Sequence, residues 1–337
     1  MKFAPHFSRI YVEKDALKYP FAQQVLDRFS KANLVYIDDY RNVFNRSGQD
    51  FRLQKASKSL ILAKKKDNLL YDGNAMVQDF GYRNFAYNTP VLNCIYDCAY
   101  CYLQGMFSSA NLVAFVNTED FFDATKLAIA ERPDKSAPLH LALSYDTDLL
   151  ASETILPFCC EWIEFCRNNP DLVIEIRTKS ANLAPLADIR PLDRCILAWT
   201  MTPPELAERY ETDAPKPEKR LIAATKAIDA GWPVRLCFDP VLPCGDWDAI
   251  YSSFYEEVFS RLSGQQVLDA SLGVFRINHQ FYTRLKKNRP NTDLVYRNWT
   301  REGDSLSLPS TEREKMLERL TALLRRYLPQ EKIAVWM

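Results

Sequence analysis

The chain has 337 residues, of which 47% are hydrophobic, so it can bury the core of one large α/β barrel or of two ordinary domains. Its 43 lysines and arginines equal its 43 aspartates and glutamates, which excludes a global positive field; a DNA partner would need a local basic patch. Residues 1–6 have no apolar leader, and no stretch reaches the roughly 18 apolar residues that cross a bilayer. Nine cysteines in so long a chain do not indicate a secreted disulfide scaffold. We therefore expect a cytoplasmic protein without membrane contact.

Residues 1–78 are predicted to form a small α/β unit. Residues 9–13 predict a strand, and Pro20 opens a helix that has apolar side chains on one face, namely Phe21, Val25, Leu26 and Phe29. Residues 34–37 and 59–62 predict two further strands. The polar stretch between them, residues 38–55, predicts a loop or a surface lid.

After about residue 83, short apolar runs alternate with helical patterns, which is typical of βα units in a parallel sheet. The predicted strands are 85–87, 139–143, 172–176, 196–201, 234–238 and 271–277. The predicted helices are 119–131, 153–168, 217–230 and 247–262. Gly231 is expected to be a left-handed helix stop, and Thr311 with Glu314 predicts a capping box for a last helix reaching Tyr327. Residues 333–336 predict a closing strand, so residues 79–337 are expected to form a partial (β/α)6 barrel that ends in a helix and a strand.

The most informative motif is a run of three cysteines. Cys94, Cys98 and Cys101 are separated by three and then two residues. They supply three thiolates to a [4Fe–4S] cubane, which leaves one iron open to a small chelating ligand, the role that S-adenosyl-L-methionine has in radical SAM enzymes. A structural zinc would need a fourth ligand nearby, and the next cysteine is Cys159. The alternative, three incidental core cysteines, would leave neighbouring thiols open to oxidation.

The predicted barrel also indicates where a site would lie. In such folds the working groups lie at the carboxyl ends of the strands, and the cysteine run follows the first predicted barrel strand. Asp146, Lys179 and Thr200 each lie near or just past the end of a predicted strand. Together with Ser144 they are the candidates for contact with the cofactor. Their position, rather than their residue type, carries this prediction.

Short strings along nearly the whole chain match one known family. They are Tyr11-Val12-Glu13, Ala16-Leu17, Tyr19-Pro20, Tyr100-Cys101-Tyr102-Leu103-Gln104, the segment before Asp146, and Thr178-Lys179. On these residues the sequence resembles the spore photoproduct lyase family. The resemblance implies an α/β fold with a partial (β/α)6 barrel of the radical SAM type and an N-terminal α/β extension. It also implies a DNA-repair lyase that reverts a thymine dimer, the spore photoproduct, to two thymines through a 5′-deoxyadenosyl radical.

The resemblance assigns roles to the candidate residues. It implies that Cys94, Cys98 and Cys101 bind the cluster, and that Tyr100 and Tyr102 line the S-adenosylmethionine and support a radical relay. Cofactor contacts are implied for the remaining candidates, which are Ser144, Asp146, Lys179 and Thr200.

One departure from the family concerns the hydrogen donor. In the family a cysteine just before the strand-end aspartate returns a hydrogen atom to the substrate radical, and the equivalent residue here is Leu143, which cannot do so. Cys244, in a loop after a predicted strand, is the replacement candidate, and its alternative is a thiol without a role. Cys237, within that strand, is the competitor and reads as a core residue. Two other hypotheses stay open: a radical SAM enzyme with a different nucleic-acid or peptide substrate, and a non-catalytic, cluster-bearing DNA-binding protein.

The family also implies partners. A dimer lesion is too bulky to react inside the base stack, so the DNA is expected to present it flipped out, with basic side chains on the flanking phosphates. The candidates are Lys64, Lys65, Lys66, Arg276, His279, Arg284, Lys286, Lys287, Arg297 and Arg301. The alternatives are a solvated strand end for the three lysines and a surface helix over an apolar groove for the rest. We expect a flavodoxin or ferredoxin as the electron donor, and a monomer.

Overall fold

The structure is a computed structural model that describes residues 7–73 and 77–336. The opening run, residues 1–6, lies outside the described residues. By its internal contacts the chain divides into two compact units. The first contains Met1–Ile95 and Met106–Arg177, and the second contains Tyr96–Gly105 and Thr178–Met337. The division expected from the sequence, at residue 78, stays a prediction.

A five-stranded sheet begins the first unit. Its strands, in spatial order, are Asn33–Ile37, Arg9–Glu13, Leu60–Ala63, Leu112–Phe115 and Val91–Leu92. The first four are parallel and the last is antiparallel to its neighbour. The three strands predicted here are confirmed. The sequence analysis does not identify Leu112–Phe115, a run of four buried apolar residues that periodicity alone cannot distinguish from part of a buried helix.

The polar stretch after the second strand, residues 38–55, is not a plain loop, so that alternative was wrong, and the surface lid stays a prediction. It contains two short helices, Arg41–Phe44 and Phe51–Ala56, and each buries its phenylalanine. Asp50 caps the second helix by accepting the backbone N–H groups of Arg52 and Leu53 at 2.9 and 3.1 Å. One apolar anchor per helix is too little to produce a helical period in the sequence.

Four more strands lie in the first unit. They are Tyr71–Asp72, Phe85–Asn88, Leu139–Leu143 and Leu172–Thr178, the last of which ends one residue into the second unit. The last three are parallel, as predicted, and the first is antiparallel. These parallel registers bring the carboxyl ends of Phe85–Asn88, Leu139–Leu143 and Leu172–Thr178 to one edge.

The helices of the first unit confirm two predictions and correct one. Pro20–Arg28 and Thr118–Glu131 form as expected. Two helices lie here: Leu149–Ser152, which precedes the predicted range, and Phe158–Arg167, which is all that forms of the helix predicted for 153–168. Pro157 occupies the N-cap of the second, and its ring and missing N–H prevent one continuous helix.

The second unit contains four parallel strands where strands were predicted, and one of them is shorter than predicted at its carboxyl end. In spatial order they are Cys195–Thr200, Val234–Val241, Asp269–Val274 and Ile333–Trp336. The strand predicted for 271–277 was wrong in its extent. It ends at Val274, and Arg276–Asn278 joins an antiparallel ribbon with Ser305–Ser307 and Thr300–Glu302.

Five helices alternate with these strands along the described chain: Pro204–Tyr210, Pro217–Ala230, Trp247–Arg261, His279–Asn288 and Ser310–Leu324. A short helix, Leu103–Met106, comes before them and ends one residue into the first unit. Gly231 has φ +96° and donates its N–H to the carbonyls of Ala227 and Ile228, so the predicted left-handed stop is confirmed. The predicted capping box was wrong, because the last helix begins directly after Pro309 and Thr311 lies inside its first turn. Within the described residues, no helix has both the length and the apolar character needed to cross a membrane.

Candidate functional site

The residues 96–105, here named the cysteine loop, begin in a short ribbon of the second unit. Asp97–Cys98 pairs antiparallel with Glu211–Thr212, so that Glu211 stands opposite Cys98. The N–H of Ala99 donates to the carbonyl of Tyr210 at 2.7 Å, and the N–H of Cys101 donates to the carbonyl of Cys98 at 3.1 Å. The backbone around the second cysteine is therefore fixed by hydrogen bonds to a neighbouring segment and to itself.

The helix His279–Asn288 and the residue after it hold the other end of the cysteine loop. Asn288 donates to the carbonyl of Gln104 at 2.7 Å, and Arg289 donates to the Gln104 side chain at 2.6 Å. The Gln104 side chain in turn donates to the carbonyl of Cys98 at 2.6 Å. Arg289 also forms an ion pair with Asp97. The loop is thus held at both ends by groups of its own unit.

Tyr100 belongs to a buried polar network. Its hydroxyl donates to the carboxylate of Glu211, which also accepts from Thr202 at 3.0 Å and forms an ion pair with Arg220. The side chains of Glu211 and Arg220 are wholly inaccessible to solvent. Burial, reinforced by the Glu211 charge, raises the pKa of Tyr100 well above its usual value. The phenol therefore stays a hydrogen-bond donor.

Lys179 stands directly after the strand Leu172–Thr178, and its ammonium lies 5.6 Å from the centre of the Tyr100 ring. Desolvation alone would lower the pKa of Lys179, but the negative charges of Cys98, Glu211 and Cys101 outweigh it and raise the pKa. The predicted lysine is therefore a cation beside both thiols of the cysteine loop, Cys98 and Cys101.

The other predicted residues of the second unit are placed as follows. Thr200 ends its strand, is buried, and its carbonyl accepts from Arg220 at 3.2 Å. Tyr102 is half-buried, and its carbonyl accepts from the N–H of Gly105 at 2.9 Å. Cys244 is half-buried in the loop after Val234–Val241, and desolvation raises the pKa of its thiol, so it keeps its S–H at neutral pH.

Ser144 and Asp146 lie in the first unit, directly beyond the strand Leu139–Leu143, and both are buried. Ser144 has φ +61°, and its hydroxyl has no hydrogen-bond partner among the described residues. Leu143 is 2% exposed and stands opposite Asn88, whose buried amide likewise has no partner in the described part of the chain. Unsatisfied buried polar atoms of this kind suit a ligand-binding edge.

Cys94 also lies in the first unit, where its carbonyl accepts from Lys55 at 2.9 Å. All nine cysteines fall within the described residues, and none forms a disulfide. In the described ranges, no group of three His, Cys, Asp or Glu side chains is arranged to hold a metal ion. The chemistry of the donor set still fits a cluster, because the loop offers thiols with a lysine cation beside Cys98 and Cys101.

The basic residues proposed for DNA contact fall into two groups. Lys65 is buried and donates to Thr89 at 2.8 Å, and Arg284 donates to the carbonyl of Gly105 at 3.0 Å, so these two serve the fold. Lys286 and Lys287 are exposed on the helix His279–Asn288. A groove of about 370 Å³ borders that helix, with a lining that includes His279, Lys286, Arg297 and Trp299.

The sequence analysis does not identify Glu211 and Arg220. Glu211 stands in a polar stretch that has no distinctive pattern. Arg220 carried a usable signal, because it occupies the apolar face of the helix Pro217–Ala230 together with Ala223, Ala224 and Ala227. A charge on such a face indicates a buried partner.

Comparison with known proteins gives consistent results. The sequence profile of the family described as spore photoproduct lyase matches residues 3–336. Spore photoproduct lyase of Bacillus subtilis (strain 168) is 22% identical over 340 residues, and that of Geobacillus sp. (strain Y412MC61) is 20% identical over 339 residues; each comparison covers 96% of both chains.

Solved structures extend the comparison to the fold. A spore photoproduct lyase complexed with dinucleoside spore photoproduct has a TM-score of 0.83 at 17% identity, and a double mutant with bound AdoMet and the same dinucleoside has 0.82 at 17%. Each covers 98% of both chains. This likeness confirms the predicted fold class, an α/β partial barrel of the radical SAM type. The match over residues 3–336 shows that the chain belongs to the spore photoproduct lyase family, a family of radical SAM lyases.

Proposed function

We propose that this protein is a DNA-repair lyase that reverts the spore photoproduct to two thymines. The observation that carries the proposal is the family match over residues 3–336. The matched range includes the cysteine loop and the strand-end residues Asp146, Lys179 and Thr200. Relatives solved with the dinucleoside lesion and with AdoMet support the same substrate and cofactor here.

The proposed cofactors are a [4Fe–4S] cluster on Cys94, Cys98 and Cys101 and an S-adenosyl-L-methionine beside it. Bound together, they supply the 5′-deoxyadenosyl radical that abstracts hydrogen from the lesion. Lys179 offers a cation for the carboxylate of the cofactor, and the buried Tyr100 offers an aromatic face for its adenine.

The strand-end residues complete the proposed cofactor site. Asp146 is the acceptor for the ribose hydroxyls or the ammonium of the cofactor. Ser144, whose hydroxyl has no partner in the described residues, and Thr200 are the further polar contacts. Tyr102, next to Cys101, is proposed to support the radical relay.

Hydrogen return to the substrate radical needs a donor other than residue 143. Leu143 is buried within the sheet and has no transferable S–H or O–H hydrogen. We assign the donor role to Cys244, because it is half-buried in the loop directly after the carboxyl end of the strand Val234–Val241, and desolvation, which raises the pKa of this thiol, favours its S–H form. One S–H bond breaks and one C–H bond forms in that step.

A second candidate function keeps the radical chemistry and changes the substrate to another nucleic acid or a peptide. Leu143 in place of the donor cysteine is the observation that favours it. The non-catalytic alternative, a cluster-bearing DNA-binding protein, shares the cofactors and lacks turnover.

The proposal also covers the DNA substrate, the electron donor, the oligomeric state and the location of the enzyme. The DNA presents the lesion flipped out, since an intrahelical dimer could not reach a strand-end site. A reduced flavodoxin or ferredoxin delivers the electron. The enzyme acts as a cytoplasmic monomer, which size-exclusion chromatography and cell fractionation would test.

Two assays separate these functions. Anaerobically reconstituted protein, reduced with dithionite in the presence of S-adenosylmethionine, should release 5′-deoxyadenosine; no release would leave only the non-catalytic alternative. An oligonucleotide that carries the spore lesion should then yield two thymines by mass spectrometry. Cofactor cleavage without thymine formation would favour the different substrate.

A further inference from the structure

The carboxylate of Glu211 is the centre of the polar network around Tyr100. One oxygen accepts from the Tyr100 hydroxyl and from Thr202 at 3.0 Å, and the other accepts from Arg220. Desolvation alone would raise the pKa of Glu211, but the charges of Lys179 and Arg220 outweigh it and lower the pKa. Glu211 is therefore a buried anion with three hydrogen-bond donors.

Arg220 ties this anion to rigid structure. Its guanidinium donates to the carbonyl of Pro215 at 2.7 Å and to the carbonyl of Thr200, at the end of a central strand, at 3.2 Å. Arg220 lies in the first turn of the helix Pro217–Ala230. Because desolvation offsets most of the attraction within a fully buried ion pair, the pair contributes little to folding as such. Its geometry instead fixes where the Glu211 oxygens lie.

Glu211 also belongs to the ribbon that holds the second cysteine. Its backbone stands opposite Cys98, and the adjacent Tyr210 carbonyl accepts the N–H of Ala99. One residue thus contacts the cysteine loop twice, through its backbone beside Cys98 and through its side chain at Tyr100.

We infer that Glu211, anchored by Arg220, is a positioning residue that sets the Tyr100 ring and the Cys98 thiol as one unit. The inference rests on the proposed function in one respect, since it takes that ring as the platform for the adenine of S-adenosylmethionine. Without the carboxylate the phenol loses its buried acceptor, the ring turns away to find another, and the loop loosens at Ala99.

Two double variants test the acceptor while keeping the site free of an unpaired charge. Glu211→Gln with Arg220→Met removes both charges and retains an amide oxygen for Tyr100. Glu211→Leu with Arg220→Met removes the charges and the acceptor, at similar volume. The two variants differ in whether the Tyr100 phenol and the Thr202 hydroxyl, which share one carboxylate oxygen, have an acceptor.

The measurements use the full-length, cluster-loaded protein. For the Leu/Met variant we expect amide hydrogen exchange across residues 96–105 to quicken at least about tenfold, and the Kd for S-adenosylmethionine to rise by roughly tenfold, since a hydrogen bond to a charged group is worth that order. The Gln/Met variant should stay within about threefold of wild type in both. Equal behaviour of the two variants, changed or unchanged, would overturn the inference.

A single variant covers the case in which the Leu/Met chain does not fold. Tyr100→Phe removes the same hydrogen bond from its other end and leaves the ion pair intact, so it should quicken exchange of the loop likewise. Adding Tyr100→Phe to the Leu/Met variant should not quicken exchange of the loop further, since both changes remove the same hydrogen bond. Unchanged exchange in Tyr100→Phe would contradict the inference. If wild type binds no S-adenosylmethionine, the proposed function fails while the exchange data still decide the role of Glu211.

Discussion

At the scale of single residues, Cys98 is the thiol on which the cofactor proposal depends most directly. It is 7% exposed, and its backbone is fixed by Gln104 and by the ribbon, so the position of its sulfur is set by the surrounding structure. We expect Cys98→Ala to lose the iron–sulfur absorbance and the cleavage of S-adenosylmethionine together, measured on the same anaerobic preparation. Cys160→Ala, a half-buried thiol on the helix Phe158–Arg167, is the matched control and should retain both. Cleavage that survives in Cys98→Ala would show that the ligand assignment is wrong.

The hydrogen donor is the second question at this scale. With lesion DNA, we expect Cys244→Ala to give less thymine and more side products, because the substrate radical then lacks an S–H donor. Adding Leu143→Cys should restore thymine, since it returns a thiol to the position where the family has one. Cys237→Ala tests the competing thiol, which is wholly buried inside a strand, and should leave the product pattern unchanged. Clean repair by Cys244→Ala would exclude this donor.

At the scale of elements, the packing of the cysteine loop depends on Gly105. A Cβ at this position would overlap the backbone carbonyl of Phe281 in the helix His279–Asn288, so one of the two segments must shift. Gly105→Ala should lower the free energy of unfolding by about 1–3 kcal/mol, as overpacking does. Urea unfolding followed by circular dichroism measures this. Gly245→Ala, where no atom lies within 4 Å of the added Cβ, is the control and should change stability by less than about 0.5 kcal/mol.

The helix Phe158–Arg167 carries a pH-dependent contribution to stability. Desolvation, reinforced by the charges of Glu119 and Glu153, raises the pKa of Glu161 from 4.5 to about 7. The unfolded chain therefore releases this proton first, so stability is lost as pH rises from 4.5 to about 7. Glu161→Gln should be near neutral at pH ~4.5 and stabilising by on the order of 1–2 kcal/mol at pH ~8, allowing for partial exposure.

Urea midpoints at both pH values check the Glu161 prediction. Glu164→Gln, on the exposed face of the same helix, is the control, since its surface pair with Arg167 is worth less than about 1 kcal/mol. A stability gain for Glu161→Gln that is equal at both pH values would contradict the assigned pKa.

Elements with a clear period were predictable from the sequence, and the misses have physical causes. Pro217–Ala230 was predicted to the residue because proline and glycine mark its two ends. The late start of the helix at Phe158 was missed because the apolar period continues across Pro157. The helices Arg41–Phe44 and Phe51–Ala56 were missed because each is anchored by a single aromatic side chain.

The candidate site divides in the same way. The positions of Lys179 and Thr200 followed from strand ends, which local sequence indicates. Glu211 could not be found, because Tyr100 lies 111 positions away in the sequence and only the folded chain brings the two together. Pairings of this kind depend on tertiary structure and leave no local pattern.

At the scale of the whole molecule, the balanced charge limits how DNA can be bound. With 43 cationic and 43 anionic side chains there is little long-range attraction, so affinity for a lesion strand must come from a local group of cations. Two of the predicted cations are engaged elsewhere, Lys65 with Thr89 and Arg284 with the carbonyl of Gly105, whereas Lys286 and Lys287 face solvent. Few phosphates should therefore be neutralised on binding.

The small number of phosphate contacts predicts that the affinity for DNA depends only weakly on salt concentration. We expect the logarithm of the association constant for a lesion oligonucleotide to fall with the logarithm of salt concentration at a slope of about −2 to −3, which corresponds to roughly three or four phosphate contacts on a single strand. The double variant Lys286→Ala with Lys287→Ala should reduce the magnitude of that slope by about 1–2, because fewer counterions are released when two phosphate contacts are lost. Fluorescence anisotropy at several salt concentrations measures both slopes. Lys126→Ala, an exposed lysine paired with Asp123 in the first unit, is the control. A slope that is unchanged in the double variant would place the phosphate contacts elsewhere on the molecule.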